Sequence, residues 1–233
     1  MAKIHRFITE YKIVGDKLEI TNPEIVHQIK NVLKLRTGEI CIVAKDDTEY
    51  ECEIIETGSS IVMRVRRKNI NYKEPKNKVH LYMCILKKEN FELVVQKAGE
   101  MGIAEITPVI SERTIKTNLN MERLEKIARE ASELSGRTIV TKINNIQNFG
   151  DTIKNKNSET KIIFDISGKI LSPKSDLGLK AESLSIYVGP EGGFSETELN
   201  LAKDHNFQIY SLGPLTLRGE TAGIIASYLA VNL

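Results

Sequence analysis

The chain has 233 residues, with 33 Lys and Arg against 31 Asp and Glu, so its formal charge of +2 excludes a protein that binds nucleic acid through bulk basicity. Any RNA-binding face has to be a local patch. Hydrophobic residues at 41% and charged residues at 27% describe an ordinary globular chain with a real core, and no apolar run reaches the roughly 18 residues of a membrane span.

The opening residues, MAKIHRFITEYK, are too polar for a secretory signal. Cys41, Cys52 and Cys84 are widely spaced, with no Cys-x-x-Cys and no His partner pattern. Neither a disulfide framework nor a metal site is expected from them; they read as small buried residues of a cytoplasmic protein.

Residues 1–70 have the rhythm of a small β-barrel. Apolar residues alternate or cluster in Lys12–Ile20, Glu39–Ala44, Tyr50–Ile55 and Ile61–Val65, separated by Gly15-Asp16, Asp46-Asp47 and Gly58-Ser59-Ser60. This predicts about five short strands. One helix interrupts them, opening at Asn22-Pro23 with Pro in its first turn, carrying Ile25, Ile29, Val32 and Leu33, and ended by Gly38. The same domain holds the candidate RNA footprint. His5, Arg6 and Phe7 set cations beside a flat ring, the pairing used for phosphate contact and base stacking. Lys30, Lys34 and Arg36 follow on or after the helix, and Arg64, Arg66, Arg67 and Lys68 form a basic run. A solvated charged face is the alternative for each.

Residues 71–78, NYKEPKNK, are polar, include Pro75 and lack apolar periodicity, so they read as a linker. From 79 to 233 the pattern becomes α/β. Strands are predicted over Val79–Leu86, Ile103–Ile110 and Lys161–Ile166 and near residues 186 and 209, about five in all and mostly parallel. Phe91, Val94, Val95, Ala98 and Met101 lie on one helical face that Gly102 ends. Leu124, Ile127, Ala128, Ala131 and Leu134 repeat the pattern before Gly136. No element is assigned to 168–182.

The most informative stretch runs from Ser185 to Gly223. A short apolar strand leads into Gly189-Pro190-Glu191-Gly192-Gly193, and Ser195-Glu196-Thr197-Glu198 then forms a capping box that starts a helix. Strand, glycine-rich loop and helix N-terminus together expose backbone N–H groups to a ligand. No Gly-Lys-Ser/Thr follows the glycines and no Gly-x-Gly-x-x-Gly is present, so the loop is neither a Walker A motif nor a dinucleotide fingerprint. Glu191 would repel a phosphate and suits a ligand with hydroxyls, ring nitrogens or positive charge. A second apolar run, Ile209–Leu212, ends at Gly213-Pro214-Leu215-Thr216-Leu217-Arg218, after which Glu220 leads into an apolar terminal helix.

These two motifs, GPEGGFSETE and LGPLTLRGETA, closely resemble the C-terminal signatures of the ribosomal RNA small subunit methyltransferase E family, a SPOUT-class group of RNA methyltransferases. The family pattern is Leu-Gly-x-Arg-Ile-Leu-Arg-x-Glu-Thr-Ala. The chain keeps Leu212, Gly213, Leu217, Arg218, Glu220, Thr221 and Ala222, and departs at Leu215 and Thr216. Weaker matches are Arg6-Phe7-Ile8 and His27…Val32-Leu33-Lys34…Gly38 in the N-terminal half, and Lys87-Lys88, Arg113, Glu130 and Ser135-Gly136-Arg137 further on.

The resemblance implies a trefoil-knotted α/β domain with a mostly parallel sheet, preceded by a PUA-like RNA-binding barrel. It implies a homodimer that uses S-adenosylmethionine to methylate N3 of a uridine in the 16S RNA of the small ribosomal subunit. Val188, Gly189, Pro190, Glu191, Gly192 and Gly193 would form one cofactor loop; Leu212, Gly213, Leu217, Arg218 and Ala222 would form the other. His5, Arg6, Phe7, Lys34, Arg36 and Arg137 would meet RNA. Arg218 would stabilise the developing uracil anion, with Glu220 orienting it or aiding the proton; a plain Arg218–Glu220 salt bridge is the alternative. Three other readings stay open here: a non-catalytic RNA-binding factor, a phosphotransferase, and a transfer-RNA 2′-hydroxyl methyltransferase.

Overall fold

Two separate hydrophobic patterns, one antiparallel and one parallel, give this chain two compact units. The computed structural model describes residues 4–70, 74–154, 158, 160–171 and 183–233. The first unit comprises Met1–Glu74 together with Ser132–Val140, and the second Pro75–Ala131 with Thr141–Leu233.

In the first unit the strands are β1 (His5–Ile8), β2 (Lys12–Val14), β3 (Lys17–Ile20), β4 (Ile40–Lys45), β5 (Thr48–Thr57) and β6 (Ile61–Ile70). Their order is β1-β4-β5-β6-β3-β2, with β1 parallel to β4 and the other pairs antiparallel. The sequence reading expected a barrel of about five strands. There are six strands, and among the described residues the sheet does not close. The edge strand β2 has three residues, all exposed. Alternate residues face a core that includes Phe7, Leu18, Ile20, Cys41, Ile54 and Met63.

Helix α1 (Pro23–His27) starts as the sequence predicts, with Asn22 Oδ1 accepting from the N–H groups of Glu24 at 3.0 Å and Ile25 at 3.3 Å. It does not run to Gly38. It widens into a π-turn over Gln28–Val32, with Leu33 N–H bonded to Gln28 O at 2.8 Å, and the chain leaves helical geometry at Lys34, φ 54°. The wide turn sends Leu33 against the core beside Ile29 and leaves Val32 exposed.

The returning segment Ser132–Val140 is held by polar bonds with no sequence signature. Glu133 accepts the Ile8 N–H at 3.0 Å, and Glu74 accepts from Arg137 and from the N–H groups of Thr138 and Ile139. Residues 71–73 of the expected linker lie outside the described residues.

The second unit contains β7 (Lys78–Cys84), α2 (Lys88–Met101), β8 (Glu105–Ile110), α3 (Met121–Leu134, its end belonging to the first unit), β9 (Lys142–Ile143), β10 (Gln147–Asn148), α4 (Phe149–Thr152), β11 (Thr160–Ile170), β12 (Ser183–Val188), α5 (Glu196–Asp204), β13 (Gln208–Ser211) and α6 (Gly219–Val231). The sheet order is β10-β8-β7-β12-β11-β13, with β9 on β8, and every pairing is parallel. Five of these strands match the sequence reading; β9 and β10, two residues each, do not appear in it. Gly102 caps α2 in the left-handed region and Ser195–Glu198 forms the predicted capping box. Of the unassigned 168–182 stretch, β11 takes residues up to 170, and 172–182 lie outside the described residues.

At the N-terminal end of this sheet sits a polar cluster. His80 Nε2 hydrogen-bonds the Thr107 hydroxyl at 2.7 Å, and Asn144 Nδ2 donates to Glu105 at 2.9 Å and to Thr107 at 3.1 Å. The His80 ring stacks on Tyr82, which stacks on Tyr187 with centroids 4.2 Å apart. Burial lowers the His80 pKa from 6.5 to about 4, against the opposing pull of Glu105 and with help from Lys142. The folded pKa lies below the unfolded one, so as pH falls the unfolded chain takes up this proton first. The stability from neutral His80 is complete above pH 6.5 and is lost as pH falls toward 4. The melting temperature of a His80→Gln variant should therefore fall less steeply over that interval than that of the wild type. Parallel curves in differential scanning calorimetry would show that His80 does not titrate as buried.

Candidate active site

Strands β12, β11 and β13 lie side by side and parallel, so their C-terminal ends open on the same edge of the sheet. A cleft of about 240 Å³ lies there, lined by the ends of β12 and β13, the loops that follow them and the middle of β11. Open parallel sheets hold ligands at this end because strand-to-helix loops converge there.

The first loop is built from the glycine-rich motif. Gly193 has φ +68°, which a residue with a Cβ adopts only with strain, and its N–H closes a turn on Pro190 O at 2.9 Å. Residues from the end of β8 brace the loop from behind. Arg113 donates to Gly192 O at 2.9 Å and to Phe194 O at 3.3 Å. The Glu112 N–H donates to Glu198 Oε1 at 2.9 Å, while Glu198 Oε2 accepts from Ser195 N–H at 2.9 Å. Glu191 stays exposed, with one long contact from the Lys87 N–H at 3.4 Å. In the second loop the Ser211 hydroxyl donates to Gly213 O at 2.8 Å and fixes the turn out of β13.

Most of the expected cofactor residues line the cleft. Val188 to Gly193 do so from the first loop, Leu212 and Leu217 from the second, and Ala222 from α6. Gly213 and Arg218 stand outside the lining, next to Leu212 and Leu217 respectively, and Arg218 is exposed. The sequence reading missed Phe164, Asp165 and Ile166, which enter from the middle of β11, and Leu215, an apolar side chain 76% exposed at the cleft. Among the described residues, the charged members of the lining are Asp165 and Glu191, both acidic.

Arg218 caps α6 with extended backbone, between the lining residues Leu217 and Gly219, and among the described residues its guanidinium has no hydrogen bond or ion pair. Glu220, in the first turn of α6, is 9% exposed and accepts from Asn90 Nδ2 at 3.2 Å. The plain salt bridge between them is absent.

The RNA candidates divide. Lys34 and Arg36 are exposed and His5 is half-buried. Phe7 is corrected: its ring is fully buried in the first unit's core and offers no face for stacking. Arg6 is corrected too, because its side chain is 10% exposed and paired with Glu49 at 2.8 Å. The Arg137 side chain is 6% exposed and held by Glu74 at 3.1 Å, so it is a structural cation of the returning segment. Arg64 and Arg66 pair with Asp16 and Glu53, whereas Arg67 projects freely from β6.

Cys41, Cys52 and Cys84 are buried, and burial pushes each thiol up to about 12. Among the described residues no cluster of His, Cys, Asp and Glu could hold a metal ion, and no helix is long and apolar enough to cross a membrane.

The RNA methyltransferase domain family model matches residues 73–231. The ribosomal RNA small subunit methyltransferase E of Mesomycoplasma hyopneumoniae is 31% identical, with 88% of this chain and 89% of that protein covered. Its counterpart in Aquifex aeolicus is 30% identical, over 87% of this chain and 95% of that protein. The crystal structure of the Neisseria gonorrhoeae ribosomal RNA small subunit methyltransferase E bound to S-adenosyl methionine has a TM-score of 0.85 at 27% identity, covering 97% of this chain and 95% of its own. Matched along nearly its whole length, with both glycine-turn motifs set at the carboxyl ends of the parallel strands that flank β11, this chain belongs to the ribosomal RNA small subunit methyltransferase E family of RNA methyltransferases.

Proposed function

We propose that the protein is an S-adenosylmethionine-dependent methyltransferase acting on N3 of a uridine in small-subunit ribosomal RNA. The observation that carries this is the division of charge at the cleft, acidic within and with the unpartnered Arg218 just outside.

The donor set fits the cofactor. Val188, Leu212, Leu217 and Ala222 give apolar surface for a flat purine, and the glycine loop brings backbone groups close. Two carboxylates without a cation favour a ligand bearing positive charge and disfavour a triphosphate. When bound, S-adenosylmethionine supplies an electrophilic methyl group on a sulfonium.

The chain's own residues supply the rest. The N3 proton of uridine has to leave before or as the nitrogen attacks, and negative charge then spreads onto the uracil oxygens. Arg218, free and exposed beside the cleft, is the cation assigned to that charge. Glu220 is held by Asn90 through Oε2, which leaves Oε1 as the acceptor for the proton. Lys34, Arg36, His5 and Arg67 are the side chains left to meet RNA, in a domain read as PUA-like. The second unit is read as a knotted SPOUT domain that dimerises, in the cytoplasm, with the small ribosomal subunit as partner.

Two variants test this. Arg218→Ala should abolish methyl transfer to unmethylated small subunits while leaving S-adenosylmethionine affinity within a few fold; undiminished turnover removes Arg218 from the mechanism. Arg113→Ala should act the other way, because two carbonyl contacts of the glycine loop are lost. Calorimetry should read a cofactor affinity about tenfold weaker, the scale of charge-assisted hydrogen bonds. Unchanged affinity would mean the loop holds its shape without that brace.

A further inference from the structure

Strand β11 shifts register against β13 where it passes the cleft. Phe164 pairs with Tyr210 of β13, and Lys169 pairs with Tyr210 again, so residues 165–168 form an excursion that no neighbouring residue matches. Such bulges re-aim side chains beside sites. Gly168 fixes this one: a Cβ there would lie 2.6 Å from the Tyr210 carbonyl carbon and 2.8 Å from Ile209 O, so only glycine lets the chain turn back this tightly onto β13. The excursion carries Asp165 out of the sheet and into the cleft lining.

Asp165 is committed on one oxygen only. Its Oδ1 accepts from the Ser167 N–H at 2.9 Å and from the Ser167 hydroxyl at 2.6 Å, which sets the carboxylate's orientation. Its Oδ2 lies 3.9 Å from where a Gly193 Cβ would stand, against the glycine loop, with no hydrogen-bond partner among the described residues. It is half-buried, while Glu191, the other charged residue among the described residues of the lining, is exposed. A carboxylate partly withdrawn from water pairs more strongly with a cation than one at the rim.

We infer that Asp165 is a specificity residue of the cofactor cleft, its Oδ2 accepting from or pairing with a positively charged group of the bound ligand. The inference rests on the cofactor reading above and goes beyond it, because neither glycine-turn motif contains this residue. The chemistry requires that charge on the ligand matter more than shape: S-adenosylmethionine carries an ammonium and a sulfonium, S-adenosylhomocysteine keeps only the ammonium, and 5′-methylthioadenosine has neither.

The test is calorimetric titration of wild type and Asp165→Asn with these three compounds, with circular dichroism to check the fold. Asparagine keeps the size and can still accept from Ser167. The expected result is a loss of about tenfold or more in S-adenosylmethionine affinity, with 5′-methylthioadenosine binding unchanged. An equal loss of S-adenosylhomocysteine affinity assigns Asp165 to the ammonium, and retention of it assigns Asp165 to the sulfonium; either supports the inference. Unchanged S-adenosylmethionine affinity, or an equal loss for all three compounds, overturns it. Failure of the wild type to bind S-adenosylmethionine overturns the cofactor reading itself, and this inference with it.

Discussion

Parallel pairing of β11, β12 and β13 is the constraint on which the site depends. Phe164 is in register with Val188 on one side and with Tyr210 on the other, so the carboxyl ends of β12 and β13 flank the middle of β11. Antiparallel neighbours would have sent alternate loops to opposite ends. Here Asp165, Gly189 and Ser211 start side by side although they are far apart in sequence. Beneath them the sheet is stiffened by Tyr187, which stacks on Tyr82, meets Phe207 edge-on and donates to Thr152 O at 3.0 Å. A sheet held by close-packed rings resists distortion, which keeps the strand ends that carry the loops in place.

That dependence explains what was legible in the sequence. The glycine loop, the capping box at Ser195 and the turn at Gly213 are local features, each fixed by residue types within a few positions, and the reading located all three. Asp165 was invisible because its placement depends on β11 losing register against β13, a non-local event that leaves no period in the sequence. Ser132–Val140 was invisible for a related reason. What ties it to the first unit is the pairing of Glu133 with Ile8 and of Glu74 with Arg137, contacts between residues more than 60 positions apart. The short strands β9 and β10 have two residues each, too few to show alternation.

The error at Arg6-Phe7 has a different cause. Neighbouring strand residues point to opposite faces, so a cation beside an aromatic ring is not a composite surface. Phe7 takes the core side, and Arg6 on the other side is claimed by Glu49, which leaves neither for a base. Adjacency in sequence serves stacking in a loop and defeats it in a strand. Lys34 and Arg36 escape this because the π-turn ends the helix early and leaves both in exposed irregular chain.

Leu217 and Gly219 line the cleft, and Arg218 between them is exposed and outside the lining. On the proposed reading the two reactants ask for opposite fields, a positive cofactor and a uracil that becomes negative. Were Arg218 in the lining it would neutralise Asp165 and Glu191 and repel the sulfonium. Placed one residue aside, on extended backbone that caps α6, it leaves the cleft acidic and still borders it. Glu220, bonded to Asn90 through Oε2, forms no ion pair with that cation. The loop thus keeps two charges of opposite sign apart by backbone geometry alone.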